Sequence, residues 1–522
     1  MVIRSGYRRA GLCLLVVLVL GGIYGITRTG HPTSPTNAAA GRDGGGRVAV
    51  SAAVRVCPAP GSAGPTAASV ALAAVPGAAK AGSAVISALA PDGSSSAGQK
   101  VSSVTRPGVL QVASVPVAPA LTAAQLVGEP GSSASVRTLP GQGGVQVTAT
   151  GALAQGLEVE QTGSDGLVTA QCSAPGTDFW FVGPGQKAAS TIELYLTNTG
   201  DEPADAQVQA VTDLSTGAPV LGNADNGITV PPDGMVEQSL TDLVQGSSVV
   251  ALNVTTTVGQ VVAAVRESQS GGDDGSWLPV AQPPAEQFTI SGLLPIGPPE
   301  LYIAVPGTAA ADVKLTAITQ KGTYQPTGGT GIDLLGGSAS IIPLPSLGGV
   351  SGAVTITSTA PVVAAMLVPG GPAGSPGVMA VGSGPVLEQG VLAANPAGPA
   401  GTTWLVLSAP GKAAEVRIST ATAMTPSSGR GGQVVDISPK SSVAVAVAPP
   451  ASSGASQFTV IVTPLHGSGP VYGGRVIAVP GLCSRSCRCQ ARIPGYRCRA
   501  SVSRSRGSST ASRAHEDHSS AG

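Results

Sequence analysis

The octapeptide ELYLTNTG, at residues 193–200, decides the predicted fold because it recurs along the chain. Its ungapped counterparts are ELYIAVPG at 300–307, WLVLSAPG at 404–411 and a weaker copy, VALAAVPG, at 70–77. The four copies end 123, 107 and 104 residues apart. This spacing matches the length of a sandwich domain and exceeds that of a propeller blade or a solenoid coil. The repeating unit is therefore predicted to be a whole domain.

Each copy is followed by a segment with period-two alternation, which is typical of a strand with one buried face. The alternating positions are Ala206, Val208 and Ala210, then Val313, Leu315 and Ala317, then Val416, Ile418 and Thr420. Each unit closes with a Val/Thr-rich strand, a turn and a strand of small residues, as in NVTTTVGQVVAAV, TITSTAPVVAAM and VIVTPLHGSGPVYGGRV. We expect the glycine or proline in each turn to supply the backbone angles that the reversal needs.

The composition favours strands and turns over helices. The chain has 522 residues, of which 42% are apolar, and its 73 glycines and 44 prolines interrupt helical runs. We predict an all-β fold of tandem β-sandwich (immunoglobulin-like) domains near residues 50–170, 171–285, 286–395 and 396–480. A β-propeller is the alternative, because many short strands can also be arranged radially.

The N-terminal end predicts export. A nearly charge-free apolar run, AGLCLLVVLVLGGIYGI at residues 10–26, follows an arginine-rich end at residues 1–9. Because positive charge stays on the cytoplasmic side, we predict a single-pass transmembrane signal anchor in the cell membrane, with the C-terminal part extracytoplasmic. The alternative is secretion after cleavage at the small residues 38–40, which lie unusually far from the apolar run. Residues 27–50 are predicted to be a linker.

The C-terminal end differs abruptly from the rest of the chain. Residues 481–522 are rich in Arg, Ser and Cys and lack hydrophobic alternation. Four cysteines there have knuckle-like spacing, namely Cys483, Cys487, Cys489 and Cys498, but no strand pattern surrounds them, and we predict no metal site. The segment is either a disordered basic tail or a stretch read out of frame.

The charge distribution argues against nucleic-acid binding. The first 28 residues carry four arginines and no acid, and residues 481–522 carry eight arginines and two acids. Residues 29–480 therefore hold 16 basic and 26 acidic side chains. Phosphate binding needs clustered Lys and Arg, whereas the basic residues of this middle part are scattered singly.

Two cysteines of the predicted domains suggest a disulfide. Cys57 opens the pattern CPAPG and Cys172 opens CSAPG, and both are predicted to be exported to an oxidising compartment. A bond between them would join the entry of the first domain to the entry of the second. On the chain-entropy model, closing such a loop stabilises the fold by about 4–5 kcal/mol. Two free thiols are the alternative.

Aromatic residues supply the candidate binding or interface positions. Phe179, Trp180 and Phe181 stand side by side in CSAPGTDFWFVGPG. Alternation predicts that Phe179 and Phe181 share one face and fill the core of the second domain, while Trp180 faces the other way. Trp180 is expected to pack at the interface with the first domain; an exposed stacking platform for a sugar is the alternative. Trp277 in GSWLP has the same two alternatives.

No constellation of residues predicts catalysis, and none predicts a cofactor. His466 is the one histidine outside the linker and the tail, and no nucleophile elbow accompanies it. The acid pairs Asp201 with Glu202 and Asp273 with Asp274 lie in glycine-bounded turns, where carboxylates usually bond their own backbone. We therefore expect a protein that is not an enzyme.

The run CSAPGTDFWFVGPG, followed by LYLTNTGDEPADAQV, GQVVAAVRES and GSWLPVAQPP, resembles an uncharacterised family of secreted actinobacterial proteins. The resemblance covers roughly residues 50 to 478, and the chain departs from the family pattern after Pro480. Members are often encoded near a membrane glycosyltransferase, which implies an envelope or glycan-related role. The family supplies no catalytic residue to carry over.

Three functions follow as hypotheses. The first is a non-enzymatic envelope protein that acts as spacer and interaction surface for cell-wall glycan or a membrane partner, attached to the membrane through residues 10–26. The second is an accessory subunit of a membrane glycosyltransferase. The third is a glycoside hydrolase that uses Asp273 and Asp274.

Overall fold

The computed structural model describes residues 50–58, 69–73, 82–89, 124–128, 133–137, 144–151, 153–154, 156–162, 169–189, 191–215, 220–221, 227–268, 275–295, 297–369, 377–398, 401–422, 431–450 and 457–478. This part contains 32 β-strands and no α-helix, so the predicted all-β class is confirmed. No helix within it is long and apolar enough to cross a membrane. The predicted anchor at 10–26, the linker and the tail lie outside the described residues.

The strands fall into four groups, which we call modules 1 to 4. Module 1 contains β1 (Ala52–Cys57), β2 (Ser69–Ala73), β3 (Gly82–Ala88), β4 (Ala124–Gly128), β5 (Ser133–Arg137), β6 (Val145–Gly151), β7 (Glu158–Thr162) and β8 (Thr169–Gln171). Module 2 contains β9 (Asp178–Pro184), β10 (Thr191–Thr197), β11 (Ala204–Thr212), β12 (Val220–Leu221), β13 (Ile228–Val230), β14 (Met235–Ser239), β15 (Val249–Val258), β16 (Val262–Ser268) and β17 (Ser276–Leu278).

Module 3 contains β18 (Ala285–Leu293), β19 (Glu300–Val305), β20 (Ala311–Thr319), β21 (Gly322–Tyr324), β22 (Ile332–Leu334), β23 (Ser338–Pro343), β24 (Gly352–Val368) and β25 (Val378–Ser383). Module 4 contains β26 (Gly390–Pro396), β27 (Thr402–Ala409), β28 (Ala414–Ala421), β29 (Gln433–Ile437), β30 (Ser441–Val447), β31 (Gln457–Pro464) and β32 (Tyr472–Ala478).

All four modules share one antiparallel pairing order. In module 1 the front sheet, which holds the first strand, runs β1-β6-β3-β4, and the back sheet, which holds the second strand, runs β5-β2-β7-β8. Module 2 repeats this order as β9-β15-β11-β12, with β13 also on β11, and β14-β10-β16-β17. Module 4 repeats it as β26-β31-β28-β29 and β30-β27-β32. The repeat detected in the sequence is therefore a repeat of strand pairing.

Module 3 keeps this order but joins its two sheets through one long strand. The 17-residue β24 pairs with β18 and β20 in its first part and with β19 and β25 in its second. The turn predicted within TITSTAPVVAAM was wrong, because the strand runs straight through Pro361. Pro361 has no partner in the register of β24 with its neighbours, so its missing N–H costs no ladder bond.

The pairing order is not that of an immunoglobulin domain. There, strands A, B, E and D form one sheet and strands C, F and G form the other. In module 1 the first strand instead pairs with the sixth, and the second pairs with the fifth and the seventh. The immunoglobulin-like detail of the predicted fold was therefore wrong.

Each module has its own hydrophobic core, built from both of its sheets. In module 2, Phe181 of the front sheet and Leu194 of the back sheet belong to one buried cluster. In module 1, Val147 and Leu72 of opposite sheets do the same. The cores form because alternate side chains of each strand point inward, as the buried and half-buried positions along β6 show.

The glycines that end the repeated octapeptide occupy equivalent places. Gly200, Gly307 and Gly411 each lie in the turn after the second strand of their module, namely after β10, β19 and β27. Neither Gly307 nor Gly411 has a neighbouring atom within 4 Å of the position of an added Cβ. The regular spacing of these glycines thus reflects equivalent turns, each at the end of a central strand of its back sheet.

Contacts between modules run in a cycle. The back sheet of module 3 packs on the front sheet of module 2, where Tyr302 and Trp180 share a cluster. The back sheet of module 4 packs on the front sheet of module 3, where Ser442 donates to the Ile318 carbonyl oxygen at 2.9 Å. Module 1 contacts module 4 and module 2.

The contact between module 1 and module 4 closes the cycle. The back sheet of module 1 packs on the front sheet of module 4, where Ala71 and Ala393 share a cluster. Its front sheet meets the back sheet of module 2 at Val56 and Val262. The start of the described chain therefore contacts its end as well as the module that follows it.

Candidate functional site

The back sheet of module 2 presents polar and aromatic side chains on the face turned away from its core. Tyr195 of β10 lies opposite Glu237 of β14. Glu193 of β10 lies opposite Arg266 of β16, which in turn lies opposite Trp277 of β17. Alternation places all five side chains on the same side of the sheet. We call these five residues the module 2 outer face.

Two aromatic rings form the centre of this face. The ring centroids of Tyr195 and Trp277 lie 5.2 Å apart, with the planes inclined by 63°. This edge-to-face geometry is the favoured one for aromatic pairs. Tyr195 is buried, whereas Trp277 is half-buried, so part of the indole faces solvent while its partner ring holds its orientation.

Two carboxylates flank the tyrosine. The Tyr195 hydroxyl lies 3.1 Å from Glu193 Oε2 and 2.9 Å from Glu237 Oε1, and it is the donor. Burial raises the pKa of Tyr195, and the charges of Glu237 and Glu193 raise it further. The phenol therefore remains a neutral donor near pH 7. Since a carboxylate offers several acceptor positions and Glu237 is exposed, acceptors are left for other donors.

The outer face of the module 1 front sheet adjoins this surface. Val54, Val56 and Leu89 of module 1 form an apolar cluster with Val262, which lies on the same side of β16 as Arg266. At this cluster the two faces touch.

Beyond the cluster, the module 1 face carries hydroxyl and amide groups. Ser83 and Thr150 hydroxyls lie 2.7 Å apart, and Gln146 Nε2 donates to Thr148 Oγ1 at 3.2 Å. These side chains are exposed or half-buried. They can donate and accept hydrogen bonds in either direction.

Module 3 contains a copy of the tyrosine–glutamate pair in a different setting. Tyr302 donates to Glu300 Oε2 at 3.3 Å, as Tyr195 does to Glu193. The module 2 front sheet covers Tyr302, however, and Trp180 belongs to the covering cluster. The same Glu-x-Tyr pattern thus lies at the contact with module 2 in module 3 and beside the half-buried Trp277 in module 2.

A second polar group lies where module 1 meets module 4. Arg475 of β32 donates to Glu160 Oε1 at 2.5 Å and to the Ala393 carbonyl oxygen at 2.6 Å. Burial, together with the charge of Glu160, raises the pKa of Glu158 to about 7, although Gln171 bonds the Glu158 carboxyl at 3.1 Å. These groups join two modules that are far apart in sequence, so we assign them to the closure of the cycle.

The sequence-predicted aromatic residues are divided between core, interface and surface. Phe179 and Phe181 lie in the module 2 core, as alternation predicts. Trp180 lies on the other side of the sheet, but it packs against module 3. The expected contact with the first domain was wrong, and Trp180 is 8% exposed, which leaves no stacking platform there. Trp277 is half-buried on the module 2 outer face.

Sequence reasoning missed the residues that surround Trp277. Glu193 and Tyr195 stand two apart in ELYL, so the alternation that assigned Phe179 and Phe181 to one face also places these two on one face. Their partner Glu237 comes from a strand 42 residues away from Tyr195. The Glu-x-Tyr pattern can be read from the sequence, whereas the pairing of β10 with β14 cannot.

The predicted disulfide is present. Cys57 at the end of β1 is bonded to Cys172, just after β8. Both cysteines belong to the core of module 1, and the neighbouring Val56 and Ser173 form a backbone bridge. The bond therefore joins the first and the last strand of one module, and the expected link to the entry of the second domain was wrong.

The acids and the histidine that were weighed for catalysis are dispersed. His466 is exposed in a loop, and Asp201 and Glu202 are exposed in the turn after β10. In that turn Asn198 Nδ2 donates to the Glu202 carbonyl oxygen at 2.7 Å. Asp273 and Asp274 lie outside the described residues. Within the described part, no three His, Cys, Asp or Glu side chains group as a metal ion would require.

Comparison with known families identifies the chain. Residues 126–450 match the model of a family of unknown function, DUF5719. The chain belongs to this family. No curated protein and no solved structure matches it.

The DUF5719 match contains the whole module 2 outer face. It begins in β4 of module 1 and ends just after β30 of module 4. Cys57 of the disulfide and Arg475 of the polar group both lie outside it. The candidate surface therefore belongs to the part of the chain that defines the family.

Proposed function

We propose that this DUF5719 protein is a non-enzymatic envelope protein that acts as a spacer and binds cell-wall glycan through the module 2 outer face. The observation that carries the proposal is the half-buried Trp277, held by Tyr195, whose hydroxyl lies between two carboxylates. The C–H faces of a sugar pack on an aromatic ring, and its hydroxyls donate to carboxylates, so this combination fits a glycan.

We also infer the finer architecture and the location. Each module is a β-sandwich, because its two sheets share a core, and the four sandwiches close into a ring through the contacts between modules. A single-pass anchor at residues 10–26 holds this ring outside the cell membrane, as the arginine-rich end supports. We also propose that the protein is of actinobacterial origin, as the resemblance of its motifs implies.

Retention on cell-wall fractions tests the function. Purified full-length protein is incubated with peptidoglycan and with arabinogalactan, and the bound fraction is measured. Trp277→Ala is expected to lower the affinity for the retaining fraction about fivefold, since a stacked aromatic contributes on the order of 1 kcal/mol. Tyr324→Ala, which removes a 40% exposed aromatic of module 3, is the control and should bind normally. Retention on neither fraction, or equal loss in both variants, would contradict the proposal.

Co-purification separates this function from the runner-up, an accessory subunit of a membrane glycosyltransferase. If the protein leaves detergent-solubilised membranes in a stoichiometric complex with a glycosyltransferase and does not bind wall fractions, the accessory role replaces the spacer role. If wall fractions retain the protein without such a complex, the proposal stands.

A further inference from the structure

The module 2 outer face carries the charge pattern from which its ligand class can be inferred. Glu193 and Glu237 stand on either side of the Tyr195 hydroxyl, and Glu237 is exposed. Arg266, the cation of this face, is 9% exposed and so is largely withdrawn from the surface. A ligand on this face therefore meets carboxylate oxygens and an aromatic ring before it meets a positive charge.

Among the described residues, the outward side chains of the neighbouring module 1 face include no cation. Its outward side chains along β3 and β6 include the neutral hydroxyl and amide groups of Ser83, Gln146, Thr148 and Thr150, together with the apolar Val85. Hydroxyls and amides satisfy the donors and acceptors of a polyol without selecting for charge. The two adjoining faces are thus polar and carry net negative charge at Glu193 and Glu237.

Small apolar residues pack at two of the other contacts between modules. At the contact of modules 2 and 3 the buried cluster includes Ala251, Ala304 and Ala365, and at the contact of modules 4 and 1 it includes Ala71 and Ala393. Small apolar residues let two sheets approach closely and leave no room for a ligand. Of the four contacts, the one between modules 1 and 2 has an apolar patch at Val262 and polar faces beside it.

We propose that the ligand of the module 2 outer face is a neutral polysaccharide, which lies on Trp277 and donates hydroxyl hydrogens to Glu237 and Glu193. The proposal rests on the proposed function and narrows it. Charge-assisted O–H···O⁻ bonds are stronger than bonds between neutral groups, so carboxylates select for hydroxyl donors. Anionic polymers are excluded because these carboxylates repel them, and residues 29–480 as a whole hold 16 basic against 26 acidic side chains.

The test compares a neutral polymer with an anionic polymer, and the anionic polymer with a form of itself whose charge has been removed. Full-length protein is titrated against arabinogalactan as the neutral probe, against peptidoglycan, and against peptidoglycan whose carboxyl groups have been amidated. Binding to arabinogalactan is expected, with an affinity that changes less than about twofold between 50 mM and 500 mM NaCl, because an uncharged ligand releases no counterions.

Matched variants locate the interaction. Glu237→Gln should lower the affinity about fivefold, since it removes a charge-assisted bond, whereas Glu202→Gln changes an exposed turn carboxylate outside the face and should have no effect. Tyr302→Phe, at the covered counterpart of Tyr195, should also leave binding unchanged. Arabinogalactan binding that survives Glu237→Gln in full would overturn the assignment of the hydroxyl acceptors.

One result would refute the neutral ligand alone, and a different result would refute the proposed function as well. Binding that depends on Trp277 but is limited to unmodified peptidoglycan, and that is lost on amidation or falls steeply with salt, would show an anionic ligand; it would sink the inference and leave the function intact. A dimer in sedimentation velocity that Trp277→Ala dissociates, without glycan binding, would assign the face to a second copy of the chain and overturn both.

Discussion

Glu267 illustrates how a single buried carboxyl couples this fold to pH. It lies on the core side of β16, and its Oε2 has no hydrogen-bond partner among the described residues. Burial raises the pKa of Glu267 from 4.5 to about 7. The folded state thus binds a proton that the unfolded chain releases at a lower pH. The stability this proton contributes is complete below pH 4.5 and is lost as the pH rises through 7.

The titration of Glu267 predicts a stability difference that can be measured. Between pH 6 and pH 8.5 the native protein should lose about 1–2 kcal/mol of unfolding free energy through this group, a value reduced for partial solvent screening. Glu267→Gln cannot titrate, so its stability should fall less over the same interval in urea denaturation. Glu202→Gln, at an exposed turn position, should keep the native pH dependence. Parallel pH profiles for native protein and Glu267→Gln would contradict this account.

At this scale, the sequence predicts which face a side chain occupies better than what it touches. Alternation placed Phe179 and Phe181 in the core because period two is a local property of a strand. The partner of Trp180 depends on which module covers its sheet, and that is decided by residues such as Tyr302, more than 100 positions away. Pairing of Cys57 with Cys172 was predictable because the modules contain just these two cysteines.

Among the elements, β18 and β32 bring the backbones of modules 3 and 4 into close approach. A Cβ on Gly474 would lie 2.5 Å from the backbone nitrogen of Gly292, a distance that real Cβ atoms essentially never show. Gly292 itself has a φ of +94°, a conformation that glycine adopts without strain. Both glycines are therefore required for modules 3 and 4 to pack as they do.

The close approach of β18 and β32 predicts that one added carbon at Gly474 strongly destabilises the protein. Gly474→Ala should destabilise the protein by about 1–3 kcal/mol, because the backbone of β18 must move to make room. Gly411→Ala is the matched control: nothing lies within 4 Å of its added Cβ, so its unfolding free energy should stay close to that of the native protein. Equal stability of the two variants in urea denaturation would show that the sheets separate at little cost.

The disulfide acts on the elements of module 1. It connects β1 in the front sheet to the end of β8 in the back sheet across 115 residues. Cys57→Ser combined with Cys172→Ser should lower the unfolding free energy by about 4–5 kcal/mol on the chain-entropy model. Thermal unfolding with and without reductant provides the measurement. A double variant that is as stable as the oxidised protein, and that reductant does not affect, would show that the core of module 1 holds without the bond.

The elements themselves were partly predictable. Octapeptide spacing identified the second strand of every module, because a repeat in sequence reports a repeat in strand pairing. The predicted turn in module 3 was wrong because glycine and proline signal a break only when the chain must reverse. In β24 it does not reverse, since the strand passes from one sheet into the other.

For the whole molecule, closure depends on a contact between the two ends of the described chain. Glu160 of module 1 and Arg475 of module 4 are 315 residues apart in sequence, and their side chains are 5% and 17% exposed. A chain of modules joined only to their neighbours would leave these groups in water. Nothing in the local sequence predicts the pair, because no local pattern marks either residue as a partner of the other and their meeting depends on the geometry of all four modules together.

The pair therefore predicts a change in overall shape as well as in stability. Arg475→Met leaves the Glu160 carboxylate buried without its partner, which typically costs about 3–5 kcal/mol. The unfolding free energy should fall by that order, and the radius of gyration from small-angle scattering should rise as modules 1 and 4 separate. Adding Glu160→Gln to Arg475→Met removes the stranded charge and should restore most of the loss. Lys412→Met, an exposed change in module 4, should alter neither quantity. If Arg475→Met lowers stability while the radius of gyration stays native, the small-residue contact of Ala71 with Ala393 suffices to hold the ends together.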